Sequence, residues 1–164
     1  MPRIAVYPGS FDPPTLGHLS VLERGLHLFD RVIVAVARNS EKKSLFTTQE
    51  RMEMLRESLA GLDPRQVEVD SFDGLLVDYA RSRKATALLR GLRATADFEY
   101  EFQMAMVNRH MEGGLQSVFL MTEYQWLYIS SSIVREIASY GADVRAMVPA
   151  PVADRLEKKF AGRP

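Results

Sequence analysis

The chain of 164 residues contains no cysteine, which removes disulfides, thiolate nucleophiles and thiolate metal sites together. That fits a reducing compartment, and a cytoplasmic location is expected. Neither sign of charge prevails: 21 Lys and Arg balance 21 Asp and Glu. The molecule therefore has no overall electrostatic footprint for nucleic acid or an anionic membrane, and any anion site must be local. No apolar run approaches a membrane span, and "MPRIAVY" meets Pro8 and Gly9 before any stretch of signal length. Repeats and low-complexity tracts are lacking. So are the Walker lysine motif, GxGxxG, the nucleophile elbow and HExxH, so a phosphate site in this chain must follow another design.

What is present is enough apolar material, 46% of the residues, for one domain over residues 1–164. Short β-branched runs at 3–7, 31–37, 67–72, 86–90 and 117–121 alternate with segments of helical period. After His18, the spacing of Leu19, Leu22, Leu26 and Phe29 predicts one face of a helix. Thr47 with Glu50 reads as a capping box opening a second helix that turns Met52, Leu55 and Leu59 inward. Further helices are expected over 75–82, from about Ala96 to Met111, over 131–140 up to Gly141, and after Pro151. This alternation predicts an α/β fold: a Rossmann-like, doubly wound, five-stranded parallel sheet with helices on both faces. Ligands of such sheets sit at the carboxyl ends of the strands. That rim collects "PGSFDPPTLGH", "RNSEKK", "RGLR" and "TEYQWLYISSS".

The rim segments carry groups that suit an anion. Gly9 permits a tight turn, Pro13 and Pro14 stiffen the approach to a helix, and His18 in its first turn can donate a ring N–H toward the same place. Ser130, Ser131 and Ser132 lie across another helix start, ahead of the apolar residues Ile133, Val134, Ile137 and Ala138, where hydroxyls and open amides suit a polyphosphate. One serine would suffice for a cap. Arg90 and Arg93 flank Gly91 with the planar fork that suits phosphate. Lys42 and Lys43 lie in a polar rim loop. Asp97, Glu99 and Glu101 point in different directions at a spacing of two, so they do not share one target and are expected to be solvated or paired with arginine. His27 and His110 have no second ligand at metal spacing, and both read as structural or surface residues.

Taken together, "YPGSFDPPTLGH", "RGLRATADFEYE" and "YISSSIVREI", in this order, closely resemble the bacterial phosphopantetheine adenylyltransferase family of the nucleotidyltransferase superfamily, from Ile4 to about Phe160. Thr15 stands at the first position of the superfamily's HxGH signature, and ISSSxxR stands for its ISSTxxR-like segment. The resemblance implies transfer of AMP from ATP to 4'-phosphopantetheine, giving dephospho-coenzyme A and pyrophosphate, with Mg2+ accompanying the nucleotide and no protein metal ligand. It makes His18 the catalytic residue that stabilises the transition state. It assigns Ser10, Lys42, Leu76 and Arg90 to the acceptor, and Ser10, Phe11, His18, Gly91, Leu92, Arg93, Glu101, Trp126, Leu127, Tyr128, Ile129, Ser130, Ser131 and Ser132 to ATP. It further implies a homo-oligomer, a hexamer, with Met104, Met106 and Met111 contributing to contacts, and coenzyme A as feedback inhibitor. Two other readings stand beside it: a relative acting on nicotinamide mononucleotide or a phospho-alcohol, and a non-catalytic nucleotide-binding module on the same fold.

Overall fold

Parity along the strands builds the two faces of the sheet. In a computed structural model describing residues 1–38 and 43–162 (Ala96 by its backbone alone), Ala5, Tyr7, Val32, Val34, Val36, Ala87 and Leu89 face one core. Their neighbours Val6, Ile33, Ala35 and Leu88 face the other. The described residues form β1 (Ile4–Gly9), α1 (Leu16–Gly25), β2 (Arg31–Ala37), α2 (Thr48–Ser58), β3 (Val67–Phe72), α3 (Leu76–Ser82), β4 (Ala87–Leu92), α4 (Thr95–Met111), β5 (Gln116–Met121), a 3-10 turn (Tyr124–Trp126), α5 (Ser131–Ser139) and α6 (Ala150–Phe160). All pairings are parallel, in the order β3-β2-β1-β4-β5. The chain winds outward from β1 to β3, then crosses back to β4, so the winding reverses between β1 and β4. Val21, Leu22, Leu55 and Leu59 from α1 and α2 cover the first face, while Val77 and Ala80 of α3 cover the second. A third cluster joins Phe46 and Met54 to α5 and α6 through Val134, Val152 and Leu156.

The strands and helices expected from the sequence are all found, with small shifts that have physical causes. β1 runs past Tyr7, through Pro8 paired with Ala35 and Gly9 paired with Val36. β4 pairs with β1 only at Ala5 and Val6, so a proline lacking an amide is tolerated on that side. The first helix ends at Gly25, yet Phe29 beyond it is still buried in the same core. In α2 the buried stripe is Arg51, Met54 and Leu55, with Met52 only partly covered. Of the apolar residues assigned to α5, Val134 and Ala138 are buried and Ile133 is exposed. The Thr47–Glu50 capping box forms in both directions.

Candidate active site

A cleft of about 390 Å³ opens at the carboxyl ends of β1, β4 and β5, beside the point where the winding reverses. β1 and the loop after it contribute Gly9, Ser10 and Phe11. α1 contributes His18, β4 and its exit Arg90, Gly91 and Arg93, and the start of α5 Ile129 to Ser132 and Arg135. Gly91 has to be glycine because an added Cβ would sit 2.8 Å from Val21 Cγ2, where α1 crosses β4. Gly9 does not make the turn expected of it: it stays in β1, and the left-handed residue is Phe11, at φ +48°. Gly9 is needed instead for close approach, its missing Cβ leaving room for the Phe11 ring at 3.0 Å. That ring packs edge-on against Tyr7 and His18, at centroid distances of 5.4 and 4.9 Å.

Thr15 settles the protonation of His18. As N-cap of α1, its hydroxyl accepts the His18 amide at 3.3 Å, and its own amide donates to His18 Nδ1 at 3.0 Å. A nitrogen that accepts from an amide carries no proton, so the ring is the neutral tautomer with its proton on Nε2. The electrostatics agree. Burial first, then the positive charges of Arg93 and Arg90, push the His18 pKa down to about 4. His18 is therefore a neutral donor on the cleft wall, in a helix turn where the Leu16 amide is taken by the Met147 carbonyl.

The arginines of "RGLR" are held by α4. Arg90 is clamped on both oxygens of Glu101, at 2.8 and 2.5 Å, and donates a third bond to the Pro8 carbonyl at 3.0 Å. Burial opposes its charge, but the Glu101 bonds and charge outweigh it and raise the Arg90 pKa. Arg93 pairs with Asp97 at 3.1 Å and donates to the Ile129 carbonyl at 3.2 Å. Glu99 is exposed and stands apart, but Asp97 and Glu101, one helical turn from each other, both line the cleft, so the three carboxylates do not all diverge as expected; the two in the cleft are paired with arginine. His27 and His110 are exposed.

All three residues of the serine triplet line the cleft at the start of α5. The Ser130 hydroxyl caps α5 by accepting the Ile133 amide, Ser131 donates to the Pro13 carbonyl at 2.7 Å, and Ser132 accepts from Arg135. Only the Ser131 hydroxyl donates internally; the Ser130 and Ser132 hydroxyls accept, and the Ser131 and Ser132 amides bond to no other described residue, so they are open donors of the helix start.

Among the other residues assigned by resemblance, Ile129 lines the cleft. Leu92 is buried in the sheet, Leu76 opens α3, and Trp126, Leu127 and Tyr128 lie outside the lining, Trp126 against the α5–α6 core. Lys42 lies outside the described residues; Lys43 is exposed.

Two site residues escaped the sequence reading. Asp12, 4% exposed, accepts the amides of Leu45 and Phe46, both at 2.9 Å, tying the loop before α2 to the opening motif. Arg135 donates to the Asp12 carbonyl and forms an ion pair with its carboxylate at 3.6 Å. The available signals were an acid set between Phe11 and two prolines, and the arginine of ISSSxxR. A wider hollow of about 710 Å³ between α2 and α6 is a different kind of surface. Two of its cations are held by carboxylates of α2, Arg155 by Glu53 and Glu57, and Lys159 by Glu50.

Residues 6–137 match the cytidylyltransferase-like family. Phosphopantetheine adenylyltransferase of Desulfosudis oleivorans is 55% identical over 158 residues, spanning 96% of this chain and 93% of that protein. The protein of the same name from Anaeromyxobacter sp. (strain K) is 54% identical over 164 residues, 100% of this chain and 98% of its own. In structure the chain is similar to a bifunctional NMN adenylyltransferase/ADP ribose pyrophosphatase of Francisella tularensis, solved with AMP and a manganese ion. The TM-score is 0.73 at 16% identity, over 99% of this chain and 50% of that one, a likeness of fold alone. By sequence over its full length, the chain belongs to the phosphopantetheine adenylyltransferase family, on the cytidylyltransferase-like fold.

Proposed function

We propose that the cleft transfers the adenylyl group of ATP to 4'-phosphopantetheine, giving dephospho-coenzyme A and pyrophosphate, the penultimate step of coenzyme A biosynthesis. A phosphate oxygen of the acceptor attacks the α-phosphorus, a new P–O–P bond forms, and the bond to pyrophosphate breaks. The nucleophile is already ionised, so no general base is needed and positioning plus charge stabilisation suffice. The observation that carries the reading is the neutral Nε2–H of His18 in a cleft that also holds Arg90, Arg93, Arg135 and the open amides of α5. A donor that is never spent on charge serves the oxygens on which charge accumulates.

In this reading Ser10, Lys42 and Arg90 grip the acceptor phosphate, and Leu76 lies along the pantetheine arm. Gly91, Arg93 and the segment from Ile129 to Ser132 face ATP, with Ser10, Phe11 and His18 at the junction. Glu101 acts through Arg90, whose fork it holds. Magnesium accompanies the nucleotide. Asp97 and Glu101 are each engaged by an arginine, so among the described residues the cleft offers the ion no carboxylate cage, and phosphate oxygens and water carry it. No role assigned above depends on it.

The chain acts as a homo-oligomer in the cytoplasm, a hexamer by family. α4 supports this, because Phe98, Phe102, Met106 and Val107 are all about half exposed on one helix. Coenzyme A, sharing the pantetheine arm, competes with the acceptor. Pyrophosphate release from ATP, assayed with phosphopantetheine, nicotinamide mononucleotide and simple phospho-alcohols in turn, tests the reading. Release with phosphopantetheine alone is expected, and release with either other acceptor class instead would overturn it.

A further inference from the structure

Among the described residues the largest fully buried side chain is an arginine. Arg51 of α2 is 0% exposed, on a stripe that otherwise buries Met54 and Leu55. A guanidinium in such a place is costly unless its donors are satisfied. Its Nη1 donates to the carbonyls of Ser10 at 2.7 Å and Ala37 at 3.4 Å, its Nε to the Thr47 carbonyl at 3.3 Å, and its Nη2 to the Thr48 hydroxyl at 3.1 Å. One side chain thus joins the exits of β1 and β2, the two neighbouring strands whose loops carry Ser10 and Lys42, to the start of α2.

The planarity of the peptide unit turns this into a statement about the cleft. In a trans peptide the C=O and N–H point in opposite directions. With the Ser10 carbonyl drawn down onto buried Arg51, the Phe11 N–H is turned away from the core, and Phe11 lines the cleft. That amide bonds to no other described residue, and its residue holds the uncommon φ of +48°. The second carbonyl, Ala37, ends β2 where the lysine loop departs.

We infer that Arg51 is a positioning residue for adenylyl transfer, one that holds the Ser10 carbonyl and so keeps the Phe11 amide turned toward the cleft, governing the grip on the acceptor phosphate. The inference rests on the reading of the cleft given above. Its test uses Arg51→Met, which fills similar volume, and Arg51→Lys, which keeps the charge but cannot span the same set of carbonyls.

The readout is phosphate discrimination: the ratio of dissociation constants for pantetheine and phosphopantetheine, by calorimetry, beside thermal unfolding. A merely structural residue would lower the melting temperature and leave this ratio alone. The ratio is expected to fall about tenfold or more in Arg51→Met and by less in Arg51→Lys, with kcat/KM for phosphopantetheine falling in parallel. A folded Arg51→Met with the wild-type ratio would overturn the inference. If that variant fails to fold, an unchanged ratio in Arg51→Lys overturns it. A wild-type protein that does not prefer the phosphorylated acceptor would instead refute the proposed substrate, a separate result.

Discussion

Replacing His18 by glutamine separates the neutral-donor reading from any role that needs an imidazolium or a base. Glutamine is an ordinary third residue of a capping box: its carbonyl can accept the Thr15 amide now bound by Nδ1 at 3.0 Å, which turns its NH₂ toward the cleft as Nε2–H is turned now. His18→Ala leaves no donor. By analogy with loss of one preorganised donor, it is expected to cost ~10²- to 10³-fold in kcat, about 3–4 kcal/mol of transition-state stabilisation. His18→Gln keeps a neutral donor at imperfect reach, so a loss of about tenfold, near 1.4 kcal/mol, is expected. The helix start should survive in the glutamine variant, whereas alanine loses one cap bond worth roughly 1 kcal/mol of stability. Steady-state pyrophosphate release at saturating ATP and phosphopantetheine measures the first effect, and urea unfolding the second. Equal loss of kcat in His18→Gln and His18→Ala would refute the neutral-donor assignment. So would a fall in wild-type kcat/KM through a pKa near 7 on the alkaline side, because an imidazolium donor would be lost there.

Other consequences follow from the same geometry. The folded-state pKa of His18, about 4, lies below its ordinary 6.5, so the unfolded chain binds more protons between those values and stability is lost as pH falls through that window. About 2 kcal/mol of the wild-type stability at pH 7 should be gone by pH 5 from this group, and the drop should be smaller by that amount in His18→Gln, as urea midpoints will report. Arg90→Ala and Lys42→Ala should each weaken phosphopantetheine by roughly 1.5–3 kcal/mol, leave ATP nearly unchanged and leave pantetheine unaffected, by calorimetry. If both instead lose ATP affinity and still discriminate the acceptor phosphate, the assignment is wrong. Gly91→Ala should cost about 1–3 kcal/mol in stability, because its Cβ would sit 2.8 Å from Val21 Cγ2. An unchanged melting temperature would show that α1 moves aside freely.

Periodicity made the sheet legible, since strand parity and helical spacing are local patterns that burial reads directly. The run at 31–37 was found residue for residue, and Thr47 with Glu50 announced its helix. The place of the cleft at the strand ends followed from topology, because each polar segment succeeds a strand. What escaped is polar and long-range. Arg135 reaches Asp12 across 123 positions, and Arg51 reaches Ser10 across 41. No local pattern marks such a pair; Arg51 on an apolar stripe shows only that an arginine is buried, not which carbonyls it holds. The serine triplet was legible as part of the cleft wall, but not that the Ser131 hydroxyl is taken by the Pro13 carbonyl, because that partner lies 118 positions away. Gly9 misled because glycine marks close approach as well as turns, and here the Phe11 ring supplied the approach.

One-step transfer from ATP to the acceptor phosphate, in a cleft that positions reactants and donates to charge without lending a nucleophile, can be tested at the reacting phosphorus. ATP made chiral at its α-phosphorus, by sulfur and heavy oxygen, is turned over with phosphopantetheine and the configuration of the dephospho-coenzyme A product is determined. In-line attack by the acceptor gives a single inversion, the expected result. Net retention would mean two displacements through an adenylylated protein side chain and would contradict the part given to His18, Arg90 and the open amides of α5.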